Sequence, residues 1–292
     1  MMDLDLRRRF FAEEIEAVCK LRSAALVDAF ATVARERFLR RGPWTVLAES
    51  DLLAGSGVQT RLTPDADPAR VYHNIVVAID PARQLFNGQP GTIAVWLDAL
   101  DLTPGARVLH VGCGLGYYTA VIAHCVGPAG RVVAFEVDER LATEASENLR
   151  SCPWVDVRCG DASEPLSETF DAILVNAGVT HPLDEWLDAV ALGGRTILPL
   201  TGTMAAMGPN IGKGLVLRLT KHEAGDFGAR VFSFVAIYSA LGVRDPGMND
   251  KLGMAMMGGP AQWQAITRLR RDPHEPGTSC WLHGTTSCLS TA

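Results

Sequence analysis

One stretch, Arg107–Asp138 (RVLHVGCGLGYYTAVIAHCVGPAGRVVAFEVD), constrains the fold more than any other. Val108–Val111 has the length and β-branched content of a buried strand. Gly112, Gly114 and Gly116 follow on alternate positions, and then Tyr118, Val121, Ile122 and Cys125 recur at helical spacing over Tyr117–Val126. Gly127-Pro128 stops that helix, and Arg131–Phe135 is a second strand that runs into Glu136. Strand, glycine turn, helix, strand and acid together describe a nucleotide cradle. Glycine lets the backbone take positive φ and approach a ligand closely. The helix N-terminus offers unpaired N–H groups, and a carboxylate after the second strand can accept from both hydroxyls of a ribose.

The glycine spacing narrows the nucleotide. A dinucleotide site wants G-x-G-x-x-G, whose third glycine would fall at Tyr117. A bulky tyrosine fits poorly where the pyrophosphate meets the first turn of the helix. The observed G-x-G-x-G resembles motif I of the class I S-adenosylmethionine (SAM) methyltransferases, whose ligand carries no phosphate.

At 292 residues the chain has room for one large α/β domain with additions, or two modest ones. A net charge of −6, with no basic block longer than Arg7-Arg8-Arg9, disfavours nonspecific binding to nucleic acid. No apolar run is long enough to span a bilayer. The N-terminus turns acidic where a signal peptide would have its apolar core, so a cytoplasmic protein is expected. Seven scattered cysteines with no C-x-x-C read as free thiols.

Taken in order, residues 6–38 predict two helices, with apolar stripes Phe10, Phe11, Ile15, Val18 and Leu26, Ala29, Phe30, Val33. Residues 42–70, with Gly55-Ser56-Gly57 and two prolines, read as an irregular insertion. Val71–Ile79 reads as a strand and Thr92–Leu100 as a helix. After the cradle the spacing predicts a helix over Glu139–Leu149, strands at Val155–Cys159 and Phe170–Asn176, a helix over Leu183–Leu192 closed by Gly193-Gly194, and a strand at Arg195–Leu200. Such alternation implies an α/β fold, a doubly wound, Rossmann-like, seven-stranded sheet. Leu215–Thr220 and Arg230–Tyr238, joined by a short polar turn, are its antiparallel pair. In the tail, Asn249–Met257 and Pro260–Leu269 read as short helices, and the last residues show no period. The division expected is an N-terminal helical section and insertion (1–84), a SAM-binding core (85–240) and a C-terminal extension (241–292).

Ligands of a doubly wound sheet bind outside the carboxyl ends of its strands. Here those ends are Gly112–Gly116, Glu136, Asp161 and Asn176. Glu136 should take the ribose hydroxyls and Asp161 the adenine amine, or else cap a helix. Gly114 and Gly116 should line the methionine part. The candidate cofactor-binding set is Gly112, Cys113, Gly114, Gly116, Tyr117, Glu136, Val137, Asp161, Ala162, Asn176 and Gln89.

VLHVGCGLGYYTAVIA, VVAFEVDERLATEASENL, CGDA, FDAILVNAG and LGGRTILPL, in this order and spacing, resemble the protein-L-isoaspartate O-methyltransferase family. The resemblance runs from about Leu26 to Leu219, apart from the insertion. It implies a class I methyltransferase that uses SAM, releases S-adenosylhomocysteine and esterifies a carboxylate on a protein or peptide. Three positions depart from the family pattern. His110 stands where motif I opens with an acid, Gly88-Gln89-Pro90 replaces a Ser-x-Pro turn, and Asn176–Pro182 (NAGVTHP) replaces a run of small residues. Direct methyl transfer to an ionised carboxylate needs alignment more than a base. The candidate catalytic residues are therefore Asn87, a donor near the lost serine, Asn176, and His181, the best-placed base should the nucleophile be a hydroxyl or amine.

His274, Cys280, His283 and Cys288 have the residue types of a metal set. Their spacing matches no common zinc pattern, so no metal is expected. The alternatives are a methyltransferase of a small metabolite or modified peptide, a nicotinamide-dependent oxidoreductase, which Tyr117 opposes, and a SAM-binding homologue without turnover.

Overall fold

A computed structural model of the chain describes residues 3–48, 59–203, 210–223 and 225–292. The Gly55-Ser56-Gly57 turn of the insertion lies outside them. The chain divides into two compact units, Met1–Gly160 and Asp161–Ala292.

The first unit opens with helices α1 (Leu4–Cys19) and α2 (Ala24–Thr32). Asp3 caps α1 by accepting from the Asp5 N–H, and Ser23 caps α2 by accepting from Leu26. The buried face of α1 is Phe11, Ala12 and Ile15, whereas Phe10 and Val18 from the expected stripe point to solvent. The insertion is partly ordered. Strands β1 (Thr45–Leu47), β2 (Arg61–Leu62), β3 (Val76–Asp80) and β4 (Leu85–Phe86) form a small antiparallel sheet in the order β2-β1-β3-β4. The strand expected from Val71 begins only at Val76, because Pro68–Val71 is a 3-10 turn.

Helix α3 (Pro90–Leu100) buries Ile93, Trp96, Leu97 and Leu100 on one face, as the spacing requires. The nucleotide-cradle segment forms β5 (Arg107–Val111), α4 (Tyr117–Val126) and β6 (Arg131–Glu136), followed by α5 (Glu139–Leu149) and β7 (Val155–Cys159). The three strands are parallel and level at their carboxyl ends, with Val111 opposite Phe135 and Glu136 opposite Cys159. Val108, Leu109, Val121, Ile122, Val132 and Val133 are fully buried beneath them. Each such side chain contributes about 1.5–3 kcal/mol of burial free energy.

The second unit holds β8 (Phe170–Val175), α6 (Asp184–Ala189), β9 (Val190–Gly202), β10 (Ile211–Glu223) and β11 (Asp226–Tyr238). Helix α6 stops at Ala189, three residues short of expectation. Val190 already pairs with Phe170, and the Gly193-Gly194 pair lies within the strand rather than after the helix. β10 runs antiparallel to both β9 and β11, the edge hairpin foreseen from the polar turn. The tail adds α7 (Pro246–Met256), α8 (Pro260–Gln264) and the short strands β12 (Arg268–Arg270), β13 (Cys280–His283) and β14 (Cys288–Ser290). These extend the sheet in the order β13-β14-β12-β11. The second helix expected of the tail thus stops at Gln264, and Leu269 lies on a strand. Among the described residues no helix is long and apolar enough to cross a membrane.

Candidate functional site

The turn after β5 is tied down by backbone bonds. Gly112 and Cys113 both donate to the Phe135 carbonyl, at 2.8 and 3.0 Å. Gly112, Gly114 and Gly116 all have positive φ, at 80, 57 and 92°. Gly116 is needed for packing as well. A Cβ there would lie 2.8 Å from Leu149 Cδ1, so α5 packs directly against this glycine. A Cβ at Gly114 would meet only Ile79 Cδ1, at 3.3 Å.

Glu136 is the anchor. It is 8% exposed, and its two oxygens accept separately from the N–H of Gly114 (2.8 Å) and of Asp138 (3.1 Å). Burial raises its carboxyl above the ordinary range, against the lowering effect of those backbone bonds. A carboxylate has about four lone-pair sites, more than its two N–H partners at these distances occupy. A buried acid with its remaining acceptors at the strand end fits the two adjacent hydroxyls of a ribose, and Val137 beside it is an exposed apolar side chain. Asp138 caps α5 through the Leu141 N–H at 3.0 Å and pairs with Arg83.

Other predicted residues of this unit make contacts within the scaffold. Tyr117 is buried, tilted against Tyr118 at 5.0 Å and edge-on to Phe30 at 6.4 Å, with the Arg35 guanidinium 5.8 Å from its ring centre. Cys113 is buried and its thiol is pushed up by burial. Asn87 turns its Oδ1 to the Val77 N–H at 3.0 Å, while its Nδ2 is buried without a hydrogen-bond partner. Gln89 holds the N-cap position of α3, ahead of Pro90. Gly88 has φ +79°, so a serine there would have to adopt a left-handed conformation, and its carbonyl accepts from the Tyr118 hydroxyl at 2.9 Å. His110 is wholly buried beside Thr119 (2.9 Å) and is pushed down to about 3 by burial, so it is neutral where the family pattern has an acid.

Turns on either side of the insertion contribute groups that were not among the candidates. Arg35 is fully buried, and its guanidinium donates to the carbonyls of Val71 (2.6 Å), His73 (3.2 Å) and Ile75 (2.8 Å). Tyr72 bonds Glu36 and accepts from Arg8 at 2.9 Å. Asn74 accepts from the Gly91 N–H at 2.8 Å and thereby seats α3.

In the second unit Asp161 forms a turn, accepting from the Ser163 N–H at 3.0 Å, and no helix follows for it to cap. Ala162 is buried at φ +57°, with its carbonyl held by Trp186 Nε1 at 2.9 Å. Asn176 follows β8 and is half-buried. His181 lines a cavity of about 360 Å³ together with Asp184, Glu185, Asp245, Lys251 and Ser287. Burial lowers the His181 imidazole, with Asp245 and Asp184 opposing, and Thr180 Oγ1 sits 2.9 Å from its Nδ1. Asn176 does not line that cavity. The loop between them is clamped from the tail by Arg244, which donates to Gly178 O (2.7 Å), Thr201 Oγ1 (3.1 Å), Thr201 O (2.8 Å) and Asn249 Oδ1 (3.1 Å). A lone arginine in a polar stretch gave no signal of this. The sequence reading also expected no metal, yet the donor atoms of His274, Cys280, His283 and Cys288 all lie within 4.8 Å of one another.

The model of the protein-L-isoaspartate(D-aspartate) O-methyltransferase family matches residues 59–209. The chain belongs to this family. Protein-L-isoaspartate O-methyltransferase of Methylorubrum populi is 32% identical over 76% of this chain and 90% of its own length. That of Methylorubrum extorquens is 33% identical over 77% and 86%. The match to the Methanopyrus kandleri enzyme, at 36%, spans 38% of this chain and about half (51%) of that relative. Among solved structures, a protein-L-isoaspartate O-methyltransferase superposes with TM-score 0.62 at 22% identity, covering 84% of this chain and 69% of that one. A Plasmodium falciparum protein described as a putative member, in complex with S-adenosyl-L-homocysteine, gives 0.59 at 17%, covering 80% of this chain and 97% of that one. The fold is that of the class I methyltransferases, as the strand–helix alternation implied, and the cofactor of this family member is SAM.

Proposed function

We propose that the chain transfers the methyl group of SAM to a carboxylate oxygen of an isoaspartyl residue in a protein or peptide. The observation that carries this reading is the buried Glu136 carboxylate, held by the Gly114 and Asp138 N–H groups at the mouth of a glycine turn in a chain of this family. Glu136 holds the ribose hydroxyls, Val137 contacts the adenine, and the backbone of Gly112–Gly114 approaches the rest of the cofactor. Asp161 with Ala162, Asn176 and Gln89 complete the cofactor set, and Asn87 and His181 stand for the acceptor side. In this reading 85–240 is the catalytic core, and 1–84 and 241–292 are additions.

When bound, the cofactor supplies an electrophilic methyl group on a leaving group that departs as a neutral thioether. An acceptor carboxylate is ionised near neutral pH, so the protein has no proton to remove. Its residues hold the two partners in line and exclude water, and orientation alone can contribute about 7–11 kcal/mol at best.

One observation favours a second acceptor. Gly88 at φ +79° takes the place of the serine in the family's Ser-x-Pro turn, and in the second unit His181, its imidazole lowered by burial, lines a loop cavity. A hydroxyl or amine of a modified peptide or small molecule would need a base there. Incubation with labelled SAM and an isoaspartyl peptide separates the two. Base-labile label on the peptide supports carboxyl transfer. Failure to label it, with SAM binding intact, moves the assignment to the second acceptor.

A further inference from the structure

The end of the chain forms a hairpin whose register places three metal-ligating residues on one face. His283 pairs with Cys288 and Leu282 with Leu289, so the first pair faces one side and the leucines the other. Leu282 and Leu289 are buried. Regular alternation would turn Cys280 to the leucine side. A bulge at Trp281 instead pairs Cys280 with Ser290, on the side of His283 and Cys288. His274, in the segment that leads into the hairpin, folds over the same face, its ring edge-on to His283 at 4.8 Å.

We infer that His274, Cys280, His283 and Cys288 form a closed, tetrahedral Cys₂His₂ site for a divalent d-block ion of the zinc type. All four donor atoms lie within 4.8 Å of one another, and Cys280 Sγ is 3.5 Å from His274 Nε2. Zinc bonds of about 2.3 Å to sulfur and 2.0 Å to nitrogen give tetrahedral donor–donor edges of roughly 3.3–3.8 Å. The Cys280–His274 edge already falls in that range, and edges near 4.8 Å must contract by about 1 Å to close the tetrahedron.

The surroundings carry the orienting contacts that such ligands require. The His274 Nδ1–H donates to the Asp272 carbonyl at 2.8 Å, which leaves the Nε2 lone pair, on the side of Cys280, to ligate. The Gly277 N–H points at Cys280 Sγ from 3.3 Å, as at a metal-bound thiolate. His283 Nδ1 is buried with no hydrogen-bond partner, an uncompensated cost that ligation would remove. Two thiolates balance the charge of the ion, and two thiol protons leave to solvent. With all four positions filled by protein, the site is structural, with none open for chemistry.

Its place in the fold gives it a task. The turn that closes the hairpin, Gly284–Ser287, lines the cavity that holds His181, Asp184 and Asp245. The ion fixes the hairpin, and with it one wall of that cavity.

The test uses the whole protein. Elemental analysis after purification without chelator should give close to one zinc per chain. Stripped protein titrated with Co²⁺ under reducing conditions should develop tetrahedral d–d bands and thiolate-to-cobalt charge transfer, saturating at one equivalent. Cys280→Ser and Cys288→Ser should each abolish the charge-transfer band or halve it, while Cys152→Ser leaves it unchanged. Titration of the unmodified chain keeps the test valid should those variants not fold. Absence of a saturable Co²⁺ spectrum in reduced protein would overturn the assignment. So would a Cys280–Cys288 disulfide that persists in reducing buffer.

Discussion

Replacing Glu136 by alanine removes the acceptor on which the cofactor site depends. The carboxylate accepts from the backbone N–H groups of Gly114 at 2.8 Å and Asp138 at 3.1 Å, and a bound ribose would add its two hydroxyls as donors. Hydrogen bonds to a charged group contribute about 1.5–3 kcal/mol each. The burial that raises this carboxyl already offsets part of that attraction, so a loss at or somewhat below the lower end of the sum is expected. About 2–3 kcal/mol corresponds to roughly 30- to 150-fold weaker SAM binding. Isothermal titration with SAM and S-adenosylhomocysteine measures it, with the ligand-free unfolding midpoint as a control for the two N–H groups left unpaired. The pH dependence follows from the same group. Its raised folded-state pKa favours the ligand-free fold below the ordinary carboxyl value, an advantage lost as pH rises through the raised value. Ribose hydroxyls need the ionised form, so the thermal shift produced by saturating SAM should shrink as pH falls through that value. A folded Glu136→Ala protein that binds SAM within about twofold of the parent would refute the assignment of the ribose site.

The wholly buried His110, pushed down to about 3, stays neutral in the fold while an unfolded chain takes up a proton below about 6.5. Its contribution is therefore present above 6.5 and is lost as pH falls toward 3, at about 1.4 kcal/mol per pH unit. Urea unfolding of His110→Gln against the parent between pH 7 and pH 4 should show the slope reduced by one proton. Arg244→Ala removes four hydrogen bonds that tie Gly178, in the loop before His181, to Thr201 and Asn249. It should cost about 2–4 kcal/mol of stability and raise KM for the acceptor, with the SAM Kd unchanged. Chelator treatment should lower the unfolding midpoint of the parent, with no such change in a folded Cys288→Ser protein.

The legible parts of this chain were those in which one period repeats without interruption. β5, α4, β6, α5 and β7 were visible because apolar spacing, glycine turn and proline stop agree over some fifty residues (107–159). Helix α6 was misread at its end because Val190, Ala191 and Leu192 suit a helix as well as a strand, and pairing with Phe170 decided between them. In α1, periodicity could not tell which side of the stripe faced the core, and Phe10 and Val18 went to solvent. The packing role of Gly116 was not legible, because the Leu149 side chain beneath it belongs to a helix more than thirty residues away. The tail was opaque for a related reason. A single bulged residue, Trp281, reverses the face of Cys280, and the donors come together through strand register rather than motif spacing. Arg35, Asn74 and Arg244 act through carbonyls and backbone N–H groups, which no residue pattern advertises.

The most direct test of carboxyl methylation presents two peptides of identical composition, one with an isoaspartyl and one with an aspartyl linkage, to the intact protein with methyl-labelled SAM. Label is expected on the isoaspartyl peptide alone, released as methanol by mild base, and at about a few per cent of the parent's level from Glu136→Ala at a SAM concentration near the parent's Kd. Equal labelling of both peptides, base-stable label, or no transfer by a protein that binds SAM would contradict it.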